Sequence, residues 1–140
     1  MWTFEPDLEN FYCLKKNVTE QNVNAIHAGL GGLAGFGSSE MFEPNNAGAV
    51  RIKNGADFPI LTIDSLKLDS LDLLVLDTEG SEPMILCGAE MTINRYQPVM
   101  MIEDKGLSEH FGAPKGWTEA IEDYVIVDRV HRDTILIPEF

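Results

Sequence analysis

Carboxylates that directly follow apolar runs are the residues of this chain best placed to do chemistry. Leu73-Leu74-Val75-Leu76 is continuously apolar and stops at Asp77, which opens the turn Thr78-Glu79-Gly80-Ser81-Glu82. A run without polar alternation is the pattern of a strand covered on both faces of a parallel sheet. Ligands of open α/β sheets bind beyond the carboxyl ends of the strands, so Asp77 and Glu79 become site candidates. A second apolar run, residues 98–102, ends in Glu103-Asp104, and two strands that end in acids predict one shared cleft. Glu5 is a third acid of this kind, closing the short strand expected over residues 1–5 just before Pro6. Its two oxygens suit the two hydroxyls of a ribose. The plainer reading has it favour the start of the next helix through the helix dipole.

Asp77, Glu79, Glu82, Glu103, Asp104 and His110 carry donors of the type hard cations take, but acids in turns are usually solvated or capping. Their spacing is not diagnostic and no H-E-x-x-H occurs, so no metal site is expected. If an acceptor hydroxyl must be activated, Asp77 and His110 are the candidate bases. His27 and His131 have no companions in the sequence that argue for a role, and G-x-S-x-G is absent, so no nucleophile elbow is present. Gly29-Leu30-Gly31-Gly32-Leu33-Ala34 formally matches G-x-G-x-x-A, yet Gly35-Phe36-Gly37-Ser38-Ser39 is a poor helix start. With five glycines in residues 29–37, the stretch reads instead as a flexible loop, one that closes over an adenine or simply turns. A nicotinamide-binding domain is disfavoured for the same reason.

The elements that must position these residues follow from periodicity and punctuation. Strands are expected over residues 1–5, 23–28, 50–53, 60–63, 73–76, 98–102, 124–130 and 134–137, and helices over 6–16, 81–96 and 117–123. In the first helix Leu8, Phe11, Tyr12, Leu14 and Val18 approximate an inner face. In the second, Ser81 should cap, with Glu82 and Pro83 in the first turn. Cys13 and Cys87, inside helices and without C-x-x-C spacing, read as buried thiols. Strands alternating with helices and then a hairpin across His131-Arg132-Asp133 imply an α/β fold with a mostly parallel sheet and a C-terminal antiparallel hairpin.

Composition sets the outer bounds. At 140 residues the chain is expected to form one domain, and 44% hydrophobic residues allow a real core. Ten Lys and Arg against 23 Asp and Glu give a net charge of −13, which repels phosphate backbones and anionic membranes, so neither nucleic acid nor membrane is an expected partner. No secretory signal or membrane-length apolar run is visible, and a cytoplasmic location is the default expectation.

Phe4-Glu5-Pro6-Asp7-Leu8-Glu9-Asn10-Phe11, then Leu61-Thr62-Ile63-Asp64-Ser65-Leu66, then Asp72–Glu82 as D-L-L-V-L-D-T-E-G-S-E, Leu86-Cys87-Gly88-Ala89, Pro98-Val99 and Ile102-Glu103 stand in an order and spacing that resembles the FkbM family of methyltransferases. The resemblance implies a Rossmann-like methyltransferase sheet, S-adenosylmethionine as cofactor, and methyl transfer to a hydroxyl of a sugar or small molecule. It implies that Glu5 holds the cofactor ribose, with Phe4, Gly29 and Leu30 as further cofactor contacts. Asp77 then lies beside both the reacting methyl and the acceptor, with His110 as a second catalytic candidate. Two departures accompany it. Val75 stands where the family commonly has lysine, and the family's first strand and glycine-rich loop have no counterpart before Phe4-Glu5-Pro6, so the chain reads as an N-terminally truncated domain. That expectation brings others: a homo-oligomer or a partner that completes the sheet and, as the alternative function, a non-catalytic binding or structural subunit of a larger assembly.

Overall fold

The computed structural model describes residues 1–41, 43, 45, 46 and 50–139, and of these every side chain except those of His110, Phe111 and Ala120. The chain forms two compact units, Met1–Thr62 and Ile63–Phe140.

In the first unit, β1 (Trp2–Phe4) leads into α1 (Leu8–Asn17) and β2 (Asn24–Ile26), which pairs in parallel with β1, Phe4 opposite Ile26. Asp7 starts the helix because its side chain accepts from the free N–H groups of Glu9 and Asn10, while Lys15 and Lys16 sit in the last turn, where the helix dipole favours cations. The expected inner face is narrower than its spacing suggests. Leu8 and Tyr12 are exposed and only Phe11, Leu14 and Val18 are partly covered, so α1 buries no residue completely.

The glycine-rich stretch corrects the expectation of a flexible loop. It supplies β3 (Gly29–Leu30) and the start of β4 (Gly35–Met41), which join β5 (Val50–Asn54) and β6 (Phe58–Leu61) in a sheet of order β3-β6-β4-β5. Only β3 and β6 run parallel. Bulky neighbours explain the glycines: a Cβ on Gly37 would lie 2.8 Å from Ile52 and 3.0 Å from Phe58, and one on Gly29 would lie 2.5 Å from Ile52. These glycines make room for side chains rather than for motion.

The second unit opens with a short 3-10 helix, Ile63–Leu66, and contains β7 (Leu73–Leu76), α2 (Glu82–Cys87), α3 (Glu90–Tyr96), β8 (Val99–Glu103), β9 (Tyr124–Val130) and β10 (Asp133–Pro138). The sheet order is β7-β8-β10-β9. β7 and β8 are parallel, and β10 runs antiparallel to both β8 and β9. The terminal hairpin forms as expected, but the sheets are mixed rather than mostly parallel, so the fold is a mixed α/β arrangement. Leu74, Leu76, Met100, Ile102 and Leu136 from one face of this sheet are buried, as are Ile85 and Ala89 from the helical segment.

Three expectations change here. β7 is an edge strand, and its burial alternates: Leu74 and Leu76 are covered, while Leu73 is 55% and Val75 52% exposed, so only one face of the run is packed. The helix expected over 81–96 breaks at Gly88-Ala89. Asp64 stabilises the break, accepting from Thr92 N and Oγ1 at 2.8 and 2.7 Å and from Met91 N at 3.2 Å, which satisfies N–H groups freed at the start of α3. Cys13 and Cys87 lie in helices but are exposed, not buried, because both face away from the packed sides of α1 and α2. Among the described residues no helix is long and apolar enough to cross a membrane.

Candidate functional site

The turn after β7 is built on one buried acid. Glu82 is 2% exposed, and its Oε1 accepts from Thr78 N at 2.8 Å, Thr78 Oγ1 at 3.1 Å and Gly80 N at 3.2 Å, while Ser108 Oγ donates to Oε2 at 3.2 Å. A carboxylate withdrawn from water needs such partners. The bonds hold Glu79 and Gly80 at positive φ, 54° and 106°. Gly80 also lies against the Leu107 backbone, where a Cβ would meet carbonyl atoms at 3.0 Å, so this position requires glycine. Ser81, expected to cap α2, makes no side-chain capping bond; Glu82, one residue later, organises the helix start instead.

Above this turn the two strand ends meet, as their terminal acids predicted. Lys105, two residues beyond β8, places its ammonium 2.7 Å from Glu103 Oε2, 3.0 Å from Glu79 Oε1 and 3.7 Å from Asp77 Oδ1. Glu79 and Glu103 are well covered, with side chains 15% and 14% exposed, whereas Asp77 stands open at 63%. Burial pushes the Glu103 carboxyl above the usual range; the adjacent Asp77 carboxyl pushes the same way, and Lys105 partly offsets both. For Lys105 burial lowers proton affinity, but the hydrogen bonds to Glu103 and Glu79 and the charges of Asp77 and Glu79 prevail and raise it. The centre of the carboxylate group is therefore filled by an ammonium, and among the described residues no three His, Cys, Asp or Glu gather as a metal site. Asp104 turns aside to accept from Gly106 N. His110 belongs to a short 3-10 helix, Leu107–Phe111, and its side chain lies outside the described residues.

Lys105 was not legible as a site residue. The only signal was a lysine two positions past a strand-end acid, and in sequence that is an ordinary solvated charge.

In the first unit, Glu5 follows β1 and serves the helix start: Oε1 accepts from Asp7 N at 2.8 Å. Burial raises its proton affinity, the bond from Asp7 N lowers it, the Asp7 charge raises it, and His27 lowers it. His27, which lacks companions in the sequence, has several in the fold. Its Nε2 donates to Pro6 O at 2.9 Å, its ring stacks on Phe11 at 5.1 Å, and it meets Phe58 at 6.1 Å. Phe4 is half-buried in β1, and Gly29 (buried) and Leu30 (half-buried) form β3.

The model of the methyltransferase FkbM domain matches residues 1–135. No curated protein matches the chain. Among solved structures, methyltransferase FkbM from Methylobacillus flagellatus KT is similar in fold, with a TM-score of 0.63 and 24% sequence identity over 96% of this chain. The match covers 35% of that protein, so the present chain corresponds to about a third of its length. Matched along nearly its whole length by the family's domain model, the chain belongs to the FkbM methyltransferase family.

Proposed function

We propose that the chain serves S-adenosylmethionine-dependent methyl transfer to a hydroxyl of a sugar or small molecule. The family match over residues 1–135 carries this reading. The residues present fit the cofactor's ribose at one point: Glu5 stands at the end of β1, half-buried, and a carboxylate there offers oxygens that accept from ribose hydroxyls. Phe4, Gly29 and Leu30, from the same unit, are assigned as further cofactor contacts, and Asp77 with His110 to the reacting side. When bound, the cofactor supplies an electrophilic methyl on a sulfonium, which departs as a neutral thioether. The transfer is an in-line displacement, so most of the help lies in positioning donor and acceptor. The chain's own task at Asp77 is to orient the acceptor hydroxyl and receive its proton. Calorimetric titration of the folded chain with S-adenosylmethionine should give heat saturating below millimolar cofactor; a flat titration overturns the reading for this chain.

A second reading is favoured by the apolar edge of β7: the chain acts as a non-catalytic subunit whose partner, another copy or a different protein, pairs with that edge. Sedimentation should then find an oligomer or stable complex, and a monomer that methylates an acceptor refutes it.

A further inference from the structure

The acids at the ends of β7 and β8 differ in how they are held. Lys105 contacts Glu103 and Glu79 at 2.7 and 3.0 Å, both largely covered, but reaches Asp77 only at 3.7 Å, with Asp77 open to solvent. Three like charges do not converge without a compensating cation, and a carboxylate free of a close ion pair keeps lone pairs for an incoming donor. The turn beneath is rigid, since Glu82 ties Thr78, Gly80 and Ser108 together. Asp133, opposite Glu103 on β10, and Asp104 also stand at this end of the sheet.

We propose that Lys105 is a positioning residue that clamps Glu79 and Glu103 and so leaves Asp77, backed by Glu103, as the carboxyl pair that takes the acceptor's proton. In that step the acceptor O–H bond breaks as its oxygen bonds to the methyl carbon, and a carboxyl O–H bond forms on the pair. The ammonium remains protonated throughout and neutralises one of the charges, so the pair passes from two negative charges to one. The raised proton affinity of Glu103 agrees with this role, because a proton shared with Asp77 is held more firmly than by a lone exposed acid. The proposal rests on the methyl-transfer reading for the source of the proton, but the clamp does not.

The test has two arms on the whole chain. Carboxyl-carbon NMR titration of the wild type, Lys105→Met and Lys105→Arg reads the clamp without any turnover. Removing the ammonium should raise the apparent pKa of Glu103 further, by about 1 unit or more, as loss of a close opposite charge does, and arginine should restore most of the shift. Near-UV circular dichroism confirms that each variant is folded; if Lys105→Met unfolds, Lys105→Gln takes its place. In the second arm, the acid limb of kcat/KM against pH should move upward with the NMR values in Lys105→Met, and Lys105→Arg should return it. Unmoved titrations overturn the clamp. Shifted titrations with an unmoved acid limb overturn the proton role. If the wild type shows no methyl transfer, the underlying functional reading fails and the proton role falls with it, while the NMR arm still decides the clamp.

Discussion

Replacing Glu82 with alanine removes the acceptor on which the turn between β7 and α2 depends. Four donors, Thr78 N and Oγ1, Gly80 N and Ser108 Oγ, lose their partner, and Gly80 and Ser108 are buried, the latter at 1% exposure. A buried donor left unpaired costs about 1–3 kcal/mol. Water entering the space left by the side chain recovers part of that, so a net loss of about 3 kcal/mol is expected for Glu82→Ala. Glu82→Gln keeps an acceptor oxygen for the turn and an amide for Ser108, giving up only the charge-assisted strength, at about 1 kcal/mol. Urea unfolding followed by the fluorescence of Trp117, 7% exposed in the same unit, measures both; a Trp2→Phe background silences the other tryptophan. With a slope of about 2 kcal/mol/M, the midpoint should fall by about 1.5 M for alanine and about 0.5 M for glutamine. An alanine variant within about 0.5 M of the wild type would show that Glu82 does not hold the turn.

Other perturbations separate the remaining claims. Gly37→Ala, whose Cβ meets Ile52 at 2.8 Å, should cost about 1–3 kcal/mol in thermal or urea unfolding, whereas Gly35→Ala, with nothing within 4 Å, should stay within about 0.5 kcal/mol. Glu5→Gln keeps an oxygen for Asp7 N and relieves a carboxylate whose charged form burial penalises, so at pH 7 its melting temperature should be unchanged or higher. Its affinity for S-adenosylmethionine by calorimetry should nonetheless fall tenfold or more. The Lys105 ammonium binds its proton more tightly folded than unfolded, so its stabilisation is complete below about pH 10 and is lost as pH rises through the raised value. Tyr124, pushed up by burial, adds a loss of the same sign. The difference between wild type and Lys105→Met in urea midpoints from pH 8 to 11 therefore isolates the lysine, and a constant difference would contradict the assignment.

What the sequence could reveal depended on whether the information was local. L-L-V-L-D and F-E-P place a strand end and its acid side by side in the chain, so the ends of β1 and β7 were legible, as was the hairpin around His131-Arg132-Asp133. The meeting of Asp77 with Glu103 followed from parallel strands ending at one edge. Lys105 was illegible because its position depends on the chain folding back after β8. His27 was missed because Phe11 and Phe58, which flank its ring, come from distant segments. Apolarity along Leu73–Leu76 reports what the strand tolerates, not which neighbours it has, so its edge position and open face could not be read from it. Glycine content likewise signals freedom only where space is empty, and beside Ile52 and Phe58 it is not.

The open side of β7 also gives the acid surplus a meaning for behaviour in concentrated solution. An unpaired apolar strand is the usual seed of sheet-to-sheet aggregation. Here Asp72 and Asp77 bracket Leu73–Leu76, and antiparallel self-pairing in register would set Asp72 of one copy against Asp77 of the next. With a net charge of −13, copies also repel before their edges touch, over a range that salt shortens. The charge acts as a colloidal guard that slows indiscriminate stacking of copies along this strand.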